Sequence, residues 1–332
     1  MRRRQFIVLA AGGIVAPSLL PRVANAQRPE QKRRVAVLMG GLAAGDAGGR
    51  DEATALEAGL KELGWNAGGN IVLDYRWPGA ELDSVRAAAG AIVDAHPDLV
   101  ISRSTPATAA LMNSGLPVVF VLVVDPLGSG FVQSLGHPGG NLTGFSNFES
   151  SVAGKWLGLL KEAAPQVSRA AMLFNPATAP FAPGYLASAH AAGPSLGVAV
   201  EAAPCAGVEQ LEAEIAARSQ AAGSGLIVIT DTFLVEHREI ITARAAQYRL
   251  PAIYGSRIYV PGGGLMAYAA DYPDIFRRAA GYVDRILRGA RPADLPVQEP
   301  DKYTLSLNLK TAQALGLTLP QSLVSRADEV IE

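Results

Sequence analysis

The chain has 332 residues, which is enough for about two domains of ordinary size. Hydrophobic residues make up 49% and charged residues 18%, a composition that excludes a disordered chain. The formal charge of −1 lacks the basic excess of nucleic-acid-binding proteins. One cysteine, Cys205, excludes an intrachain disulfide framework and any site built from paired cysteines.

The first 26 residues have the pattern of an export signal. Three arginines at residues 2–4 precede a short apolar run over residues 7–16, and Ala24-Asn25-Ala26 places small residues at positions −3 and −1 of a cleavage site. The arginines followed by Phe6 also match the twin-arginine signature of bacterial export. The apolar run is too short to span a bilayer of about 30 Å. We therefore expect cleavage after Ala26 and a soluble periplasmic protein.

Strands and helices alternate through the first half of the mature chain. A glycine-rich loop follows the first strand, and the next apolar residues recur at helical spacing. The strands are predicted at residues 33–39, 71–76, 98–102 and 118–124, and the helices at residues 51–63 and 82–93. This alternation predicts βαβ units on a parallel sheet.

The same pattern restarts near residue 143. Further strands are predicted at residues 170–174, 198–200, 226–230, 252–254, 265–268 and 303–307. A long helix carries Ile275, Ala279, Val283 and Ile286 on one face. We expect two α/β lobes, the first from residues 33–146 and 259–296 and the second from residues 147–258 and 297–326. The chain would cross between them near residues 145–150, 256–264 and 296–302.

Motifs for catalysis or cofactor binding are missing from the sequence. The loop Gly40–Gly45 lacks both the lysine of a phosphate-binding loop and the spacing of a dinucleotide fingerprint. There is no G-x-S-x-G nucleophile motif, and the four histidines lack the spacing of zinc ligands. Asp125, Asp231 and Asp271 follow apolar strands, but they suit turns and helix N-caps equally well. We therefore expect no enzyme, no metal and no cofactor.

Polar loops at the carboxyl ends of the predicted strands are the candidate ligand site, since open parallel sheets bind ligands there. In the segment Arg103-Ser104-Thr105-Pro106, Thr105 fits an N-cap and Pro106 the first helical position. Such a helix start attracts a carboxylate or phosphate, and Arg103 could add a bidentate contact. The alternative is an ordinary capped helix beside a solvated arginine.

Other loops at strand ends have the same two interpretations. Val124–Gly128 and Thr230–Phe233 could bind a ligand or form ordinary turns. Several aromatic residues lie near the predicted crossings, where they could enclose a ligand or simply pack the lobes: Phe145, Phe148, Phe174, Tyr254 and Tyr268.

Several stretches together resemble one protein family. They include Ala55–Gly64, Asp74–Trp77, Pro117–Phe120, Gly136–Gly144, Asn308–Leu317 and Pro320–Ile331. This combination, which covers essentially the whole mature chain, is similar to the substrate-binding proteins of ABC transporters of the tryptophan/tyrosine type. The resemblance implies a type I periplasmic binding fold, with two Rossmann-like lobes, a three-segment hinge and a ligand cleft between the lobes.

The resemblance also implies a set of ligand contacts. In the first lobe these are Gly41, Arg103, Ser104, Thr105 and Asp125, and Arg103 stands beside a position that small residues often occupy in the family. In the second lobe they are Asn175, Asp231, Thr232, Tyr254 and Tyr268. We expect a monomeric receptor that closes on a small carboxylate, such as an amino acid, and delivers it to the permease subunits of an importer. The alternatives are a periplasmic ligand sensor and, less favoured, an exported α/β enzyme.

Overall fold

The computed structural model describes residues 32–147 and 151–332, so the predicted export signal and Phe148 lie outside the described residues. Its strands are β1 Arg33–Met39, β2 Leu42–Ala43, β3 Ile71–Arg76, β4 Pro78–Gly79, β5 Leu99–Arg103, β6 Val118–Val123, β7 Leu142–Ser146, β8 Arg169–Phe174, β9 Ala199–Pro204, β10 Ser224–Val228, β11 Ala252–Tyr254, β12 Met266–Ala270, β13 Tyr303–Asn308 and β14 Glu329–Ile331.

The helices alternate with these strands as the sequence predicted. They are α1 Ala47–Glu62, α2 Leu82–Asp94, α3 Thr105–Leu111, α4 Val152–Ala163, α5 Ala182–Leu196, α6 Val208–Arg218, α7 Thr232–Glu236, α8 Arg238–Gln247, α9 Tyr272–Leu287, α10 Leu309–Ala314 and α11 Gln321–Val324. Helix α1 begins four residues before the predicted start because the Asp46 carboxylate caps it, accepting a hydrogen bond from the Gly49 N–H at 3.0 Å. None of the helices in the described ranges is long and apolar enough to cross a membrane.

Two sheets define two lobes. The first sheet has the order β3-β1-β5-β6-β7 and is parallel throughout. Alternate residues of β1 face opposite sides: Val35 and Val37 pack in one cluster with α1, whereas Ala36 and Leu38 pack in another with α2 and α3. This two-residue alternation in a strand that is buried on both faces explains its continuous apolar sequence. Helices α1 and α9 pack together beside this sheet.

The second sheet has the order β14-β13-β12-β11-β10-β8-β9. It is parallel from β9 to β12, but β13 runs antiparallel to β12, which departs from the expected parallel sheet. The chain leaves β12 at Ala270 and returns opposite it at Tyr303, and the Asp271 N–H donates to the Lys302 carbonyl. A strand that re-enters at the end where its neighbour left must run in the opposite direction.

The second crossing between the sheets also differs from its expected place. From the sequence, residues 259–296 are expected in the first lobe, but in the structure β12 belongs to the second sheet, where it pairs with β11. The three glycines at 262–264 are a turn within that lobe, and a Cβ on Gly264 would lie 2.8 Å from the Tyr254 ring. The crossing therefore falls at Asp271, between β12 and α9. Strand β14 extends the second sheet beyond the expected limit at residue 326.

Candidate functional site

The start of α3 lies at the carboxyl end of β5, as the sequence predicted, but one residue earlier. Ser104 occupies the N-cap position with φ of 85°, so Thr105 and Pro106 are the first two helical residues. The Thr105 hydroxyl accepts a hydrogen bond from the Val124 N–H at 3.1 Å and ties α3 to the end of β6. The Ser104 hydroxyl is buried without a hydrogen-bond partner among the described residues. Ser104 therefore keeps an unused donor at this strand end.

The Arg103 guanidinium is buried and paired with a carboxylate of the same lobe, not exposed to solvent. Its Nε donates to Glu52 at 2.7 Å and its Nη2 donates to the other oxygen of the same carboxylate at 3.2 Å. Its Nη1 donates to the Gly40 carbonyl at 3.0 Å. Both side chains are buried, with exposed fractions of 7% for Arg103 and 5% for Glu52. The bidentate pair holds the arginine in place and neutralises most of its charge, so Arg103 is a weak anchor for an anion.

The Asp231 carboxylate lies at the carboxyl end of the second sheet, at the N-cap of α7. It accepts hydrogen bonds from the Asn175 N–H at 2.6 Å, the Phe233 N–H at 2.9 Å and the Thr178 hydroxyl. Burial raises the pKa of Asp231 to about 6, against these hydrogen bonds, which lower it. Within the described part of the chain, no basic side chain forms an ion pair with this carboxylate. A buried carboxylate without a counter-ion can pair with a positively charged group of a ligand.

A small cavity lies between the two lobes where these residues meet. Its volume is about 30 Å³. The first lobe contributes Arg103, Ser104, Thr105, Pro106, Leu122 and Val124, the second contributes Thr178, Phe181, Thr230, Asp231, Thr232 and Val235, and Tyr272 of α9 completes the wall. We call this space the inner cavity. The hydroxyl of Thr232, like that of Ser104, is buried there without a partner among the described residues. Two hydroxyls without partners and one carboxylate thus line a space that is large enough for a small polar group.

A larger cavity of about 350 Å³ adjoins the inner one, and we call it the outer cavity. Its walls come from both lobes: the start of α1, the start of α8, the loop at residues 256–262 and the start of α9. Arg103 and Tyr272 line both cavities, so the two are neighbouring parts of one cleft. The walls of the outer cavity include Tyr259 and Tyr272 and also charged side chains such as Asp51 and Arg238.

The two lobes touch on either side of this cleft. A Cβ on Gly41 would lie 2.6 Å from Thr232 Cγ2, so the loop after β1 approaches α7 as closely as a glycine allows. Asp46 of the first lobe and Arg238 of the second form an ion pair at 2.7 Å. These contacts join the two lobes across the cleft.

Several predicted site residues lie outside the walls of both cavities. The half-buried Asp125 caps its own turn by accepting a hydrogen bond from the Gly128 N–H at 2.8 Å. Tyr254 is in the core, where it stacks on Tyr259 with ring centroids 4.5 Å apart. Tyr268 stacks on Tyr303 at 5.5 Å. Phe145 packs against a neighbouring tyrosine, so it too has a packing role. Asn175 contacts neither cavity, but its N–H donates to the Asp231 carboxylate and helps to orient it.

The residues that complete the cleft were not predicted from the sequence. Tyr272 and Tyr259 line the outer cavity, Thr178 holds Asp231, and Glu52 holds Arg103. Tyr272 carried one signal, because it follows a strand and opens a helix. Glu52 and Thr178 carried none, since their partners are 51 and 53 residues away along the chain.

In the ranges that the structure describes, no group of three His, Cys, Asp or Glu side chains is arranged to hold a metal ion. Two α/β lobes facing each other across a polar cleft define the class of two-lobed binding proteins. Within that class, the sequence model of the ABC transporter substrate binding protein family matches residues 46–331. The chain therefore belongs to this family, as its sequence motifs predicted.

Individual relatives agree with this assignment. A tyrosine-binding protein of Clostridioides difficile (strain R20291) is 26% identical over 269 residues, which cover 78% of this chain and 74% of the relative. A conserved domain protein of Vibrio cholerae O1 biovar El Tor has a TM-score of 0.83 at 26% identity, over 90% of this chain and 100% of its own. An ABC domain from Streptococcus pneumoniae in complex with L-Trp has a TM-score of 0.82 at 24% identity, over 91% of this chain and 100% of its own.

Proposed function

We propose that this chain is the periplasmic receptor of an ABC importer and that it captures a free amino acid by closing its two lobes. The observation that carries this proposal is the Asp231 carboxylate, which is buried at the inner cavity without a counter-ion in the described ranges. The Asn175 N–H, the Phe233 N–H and the Thr178 hydroxyl contact it, and the Leu234 N–H also favours its charged form, but none of these donors carries a charge. A ligand ammonium group would supply the positive charge that this carboxylate lacks.

The opposite wall of the inner cavity suits the ligand carboxylate. The Ser104 hydroxyl has no partner in the described chain, and the Thr105 N–H lies in the first turn of α3, where no intrahelical acceptor exists. The sequence predicts an anion at this helix start, and we keep that proposal with Arg103 in a lesser role. An amino acid carries both required charges two bonds apart on one carbon, which suits a cavity of about 30 Å³. A simple organic acid leaves Asp231 unpaired.

We further propose that the amino acid has an aromatic side chain. The relatives include a tyrosine-binding protein and a domain in complex with L-Trp. The outer cavity, at about 350 Å³, exceeds the volume of about 150 Å³ that accommodates a benzene ring in a protein core. The ring of Tyr272, which lines it, can pack against an aromatic ligand.

The proposed mechanism follows from the position of the ligand between the lobes. An ammonium group on Asp231 and a carboxylate on Ser104 link the second lobe to the first, so the ligand contacts are complete only in the closed form. The ligand then shifts the population toward closure by its differential affinity for that form. Transporter subunits in the membrane would distinguish the closed receptor from the open one, and no catalysis is involved.

Binding assays with purified mature protein test this proposal. A cognate aromatic amino acid at 100 times its dissociation constant stabilises the protein against unfolding by about 2.7 kcal/mol. Scattering measurements should show a smaller radius of gyration on binding, and mass spectrometry should recover the amino acid unchanged. If the protein binds no free amino acid, or converts one of them chemically, the proposed receptor function is wrong.

Export is a separate part of the proposal. The mature protein should begin at Gln27, which N-terminal sequencing of periplasmic material checks. Replacing Arg3 and Arg4 with lysine should leave precursor inside the cell, because the twin-arginine signature is then lost. A mature protein that begins at Met1 contradicts the export step but leaves the binding site untouched.

A further inference from the structure

The turn that follows β8 is built around the Asp231 carboxylate. Strands β8 and β10 are parallel neighbours, so the residues that follow them meet at one edge of the second sheet. The Asn175 side chain closes the turn by accepting a hydrogen bond from the Ala177 N–H at 2.8 Å, and the Asn175 carbonyl accepts from the Thr178 N–H at 3.2 Å. The turn thereby directs the Asn175 N–H at one oxygen of Asp231 and the Thr178 hydroxyl at the other.

Thr178 differs from the other donors to this carboxylate. It is buried, with an exposed fraction of 5%, and it lies in the wall of the inner cavity. Its contribution comes from a side-chain hydroxyl, whereas Asn175, Phe233 and Leu234 contribute backbone N–H groups that any residue except proline retains. Thr178 is therefore the donor whose identity in the sequence decides whether the hydrogen bond forms.

Burial and hydrogen bonding act on Asp231 in opposite directions. Burial raises the pKa of Asp231 to about 6, and among the hydrogen bonds that lower it the one from the Thr178 hydroxyl has the largest effect. Two ionisable neighbours sense the Asp231 charge, but burial raises the pKa of Cys205 to about 12 and that of Tyr259 well above its ordinary value. Both neighbours therefore stay neutral over the pH range in which Asp231 titrates.

The ionisable groups on the other walls of the inner cavity also keep their charge in this range. The Arg103 guanidinium is held by the buried pair with Glu52, and burial raises the pKa of the Tyr272 hydroxyl. Of the described ionisable side chains that line the inner cavity, Asp231 is thus the one that changes its charge near pH 6.

We propose that Thr178 is a positioning residue, whose hydroxyl holds the Asp231 carboxylate ionised for the ligand ammonium group and so sets how far the pH can fall before binding is lost. It acts through Asp231, because a hydrogen bond to the charged form of a carboxyl group stabilises that form. This inference rests on the proposed amino-acid function and adds to it the control of its pH range.

Two measurements on the wild type, Thr178→Val and Thr178→Ser test the inference. The first is an NMR titration of the Asp231 carboxyl carbon in ligand-free protein, with Asp231→Asn to identify its signal. Thr178→Val keeps the branched shape but removes the hydroxyl, so the pKa of Asp231 should rise by about one unit, from about 6 to about 7. Thr178→Ser keeps the hydroxyl and should restore the lower pKa.

The second measurement is calorimetry with L-tyrosine and with L-tryptophan at pH 6 and pH 8. A rise of one pKa unit lowers the ionised fraction of Asp231 at pH 6 from about one half to about one tenth, but leaves about nine tenths ionised at pH 8. The loss of affinity in Thr178→Val, relative to the wild type, should therefore be about fivefold greater at pH 6 than at pH 8. A purely structural role would weaken binding equally at both pH values.

Thr143→Val is the matched control. Thr143 is also buried, and its hydroxyl donates to the Leu295 carbonyl at 2.6 Å, but it lines neither cavity. This variant should lose stability in chemical denaturation and keep the wild-type pH dependence of binding.

The outcomes separate this inference from the function on which it rests. An Asp231 pKa that is the same in the wild type and Thr178→Val overturns the role of Thr178, as does an equal loss of affinity at both pH values. Either result leaves the amino-acid receptor intact. A wild type that binds neither tyrosine nor tryptophan contradicts the proposed aromatic ligand itself, whereas the NMR titration still decides whether Thr178 controls the ionisation of Asp231.

Discussion

Replacing Asp231 with asparagine removes the negative charge that we propose binds the ligand ammonium group. The amide keeps an oxygen that can accept from the Thr178 hydroxyl and the Phe233 N–H, so the start of α7 stays capped. Its NH₂ group, however, faces the Asn175 N–H, which now loses its acceptor. The variant therefore changes the charge of the inner cavity and leaves one buried donor unpaired.

The pKa of Asp231 predicts how stability responds to this change. Folding raises that pKa from 3.8 to about 6, so the folded state resists losing the proton. Without ligand, Asp231 therefore reduces the free energy of unfolding by about 3 kcal/mol as the pH rises from about 4 to about 6. Asp231→Asn avoids this loss of stability, but the unpaired Asn175 N–H lowers the free energy of unfolding by about 1–3 kcal/mol. At pH 7 the two effects largely cancel.

The ligand affinity of the wild type should rise over the same pH range in which its stability falls. A ligand ammonium group binds the ionised carboxylate, so the affinity of the wild type should rise as the pH rises toward about 6 and then level off. At pH 7, the variant should bind the amino acid about 10- to 150-fold more weakly, because it lacks a charge-assisted hydrogen bond of about 1.5–3 kcal/mol. Below pH 5 the difference between the two proteins should shrink.

Calorimetry between pH 5 and pH 8, in buffers of different ionisation enthalpy, measures both the affinity and the protons released. At pH 5 the wild type should release up to one proton per ligand and the variant none. Asp125→Asn is the matched control, because Asp125 also follows a strand end but caps only its own turn. If Asp231→Asn binds as tightly as the wild type at pH 7, or if Asp125→Asn loses affinity equally, the ammonium assignment is wrong.

Three further variants test other parts of the cleft. Arg103→Ala should destabilise the fold by about 3–5 kcal/mol in chemical denaturation, because it leaves the buried Glu52 unpaired, and adding Glu52→Gln should restore part of that loss. Arg238→Gln removes the ion pair to Asp46 between the lobes, so the ligand-free protein should expand in solution scattering; an unchanged radius of gyration refutes a closing role. Ser104→Ala removes a hydroxyl that has no partner in the described chain, so thermal unfolding should stay nearly unchanged while the affinity falls about 5- to 30-fold.

Local patterns predicted most of the strands correctly. Strands such as β1, β3 and β11 were predicted at their observed residues because short apolar runs bounded by turns determine them. The place of β12 was not predictable in the same way. Its five residues fit either sheet, and only its pairing with β11 and the close packing of Gly264 on Tyr254 decide between them.

Some residues of the candidate site could also be predicted from local sequence, and others could not. Ser104, Thr105, Asp231 and Thr232 follow strands of parallel sheets, and the general rule for such sheets was enough to find them. Arg103 was placed correctly in the chain, but its pairing with Glu52 depends on how α1 packs beside β5. Tyr254 and Tyr259 are five residues apart and both buried, and nothing in the sequence distinguishes the core ring from the one that lines the cleft.

The packing of α9 on α1 has a consequence for how the protein is made. Gly59 of α1 leaves room for α9, since a Cβ there would lie 2.7 Å from the Arg277 carbonyl oxygen. The two helices are separated by about 210 residues, which a ribosome adds in roughly 10–40 s. During that interval the apolar face of α1, with Leu56 and Leu60, has no partner helix. We therefore expect the nascent first lobe to be prone to aggregation until most of the second lobe has been synthesised.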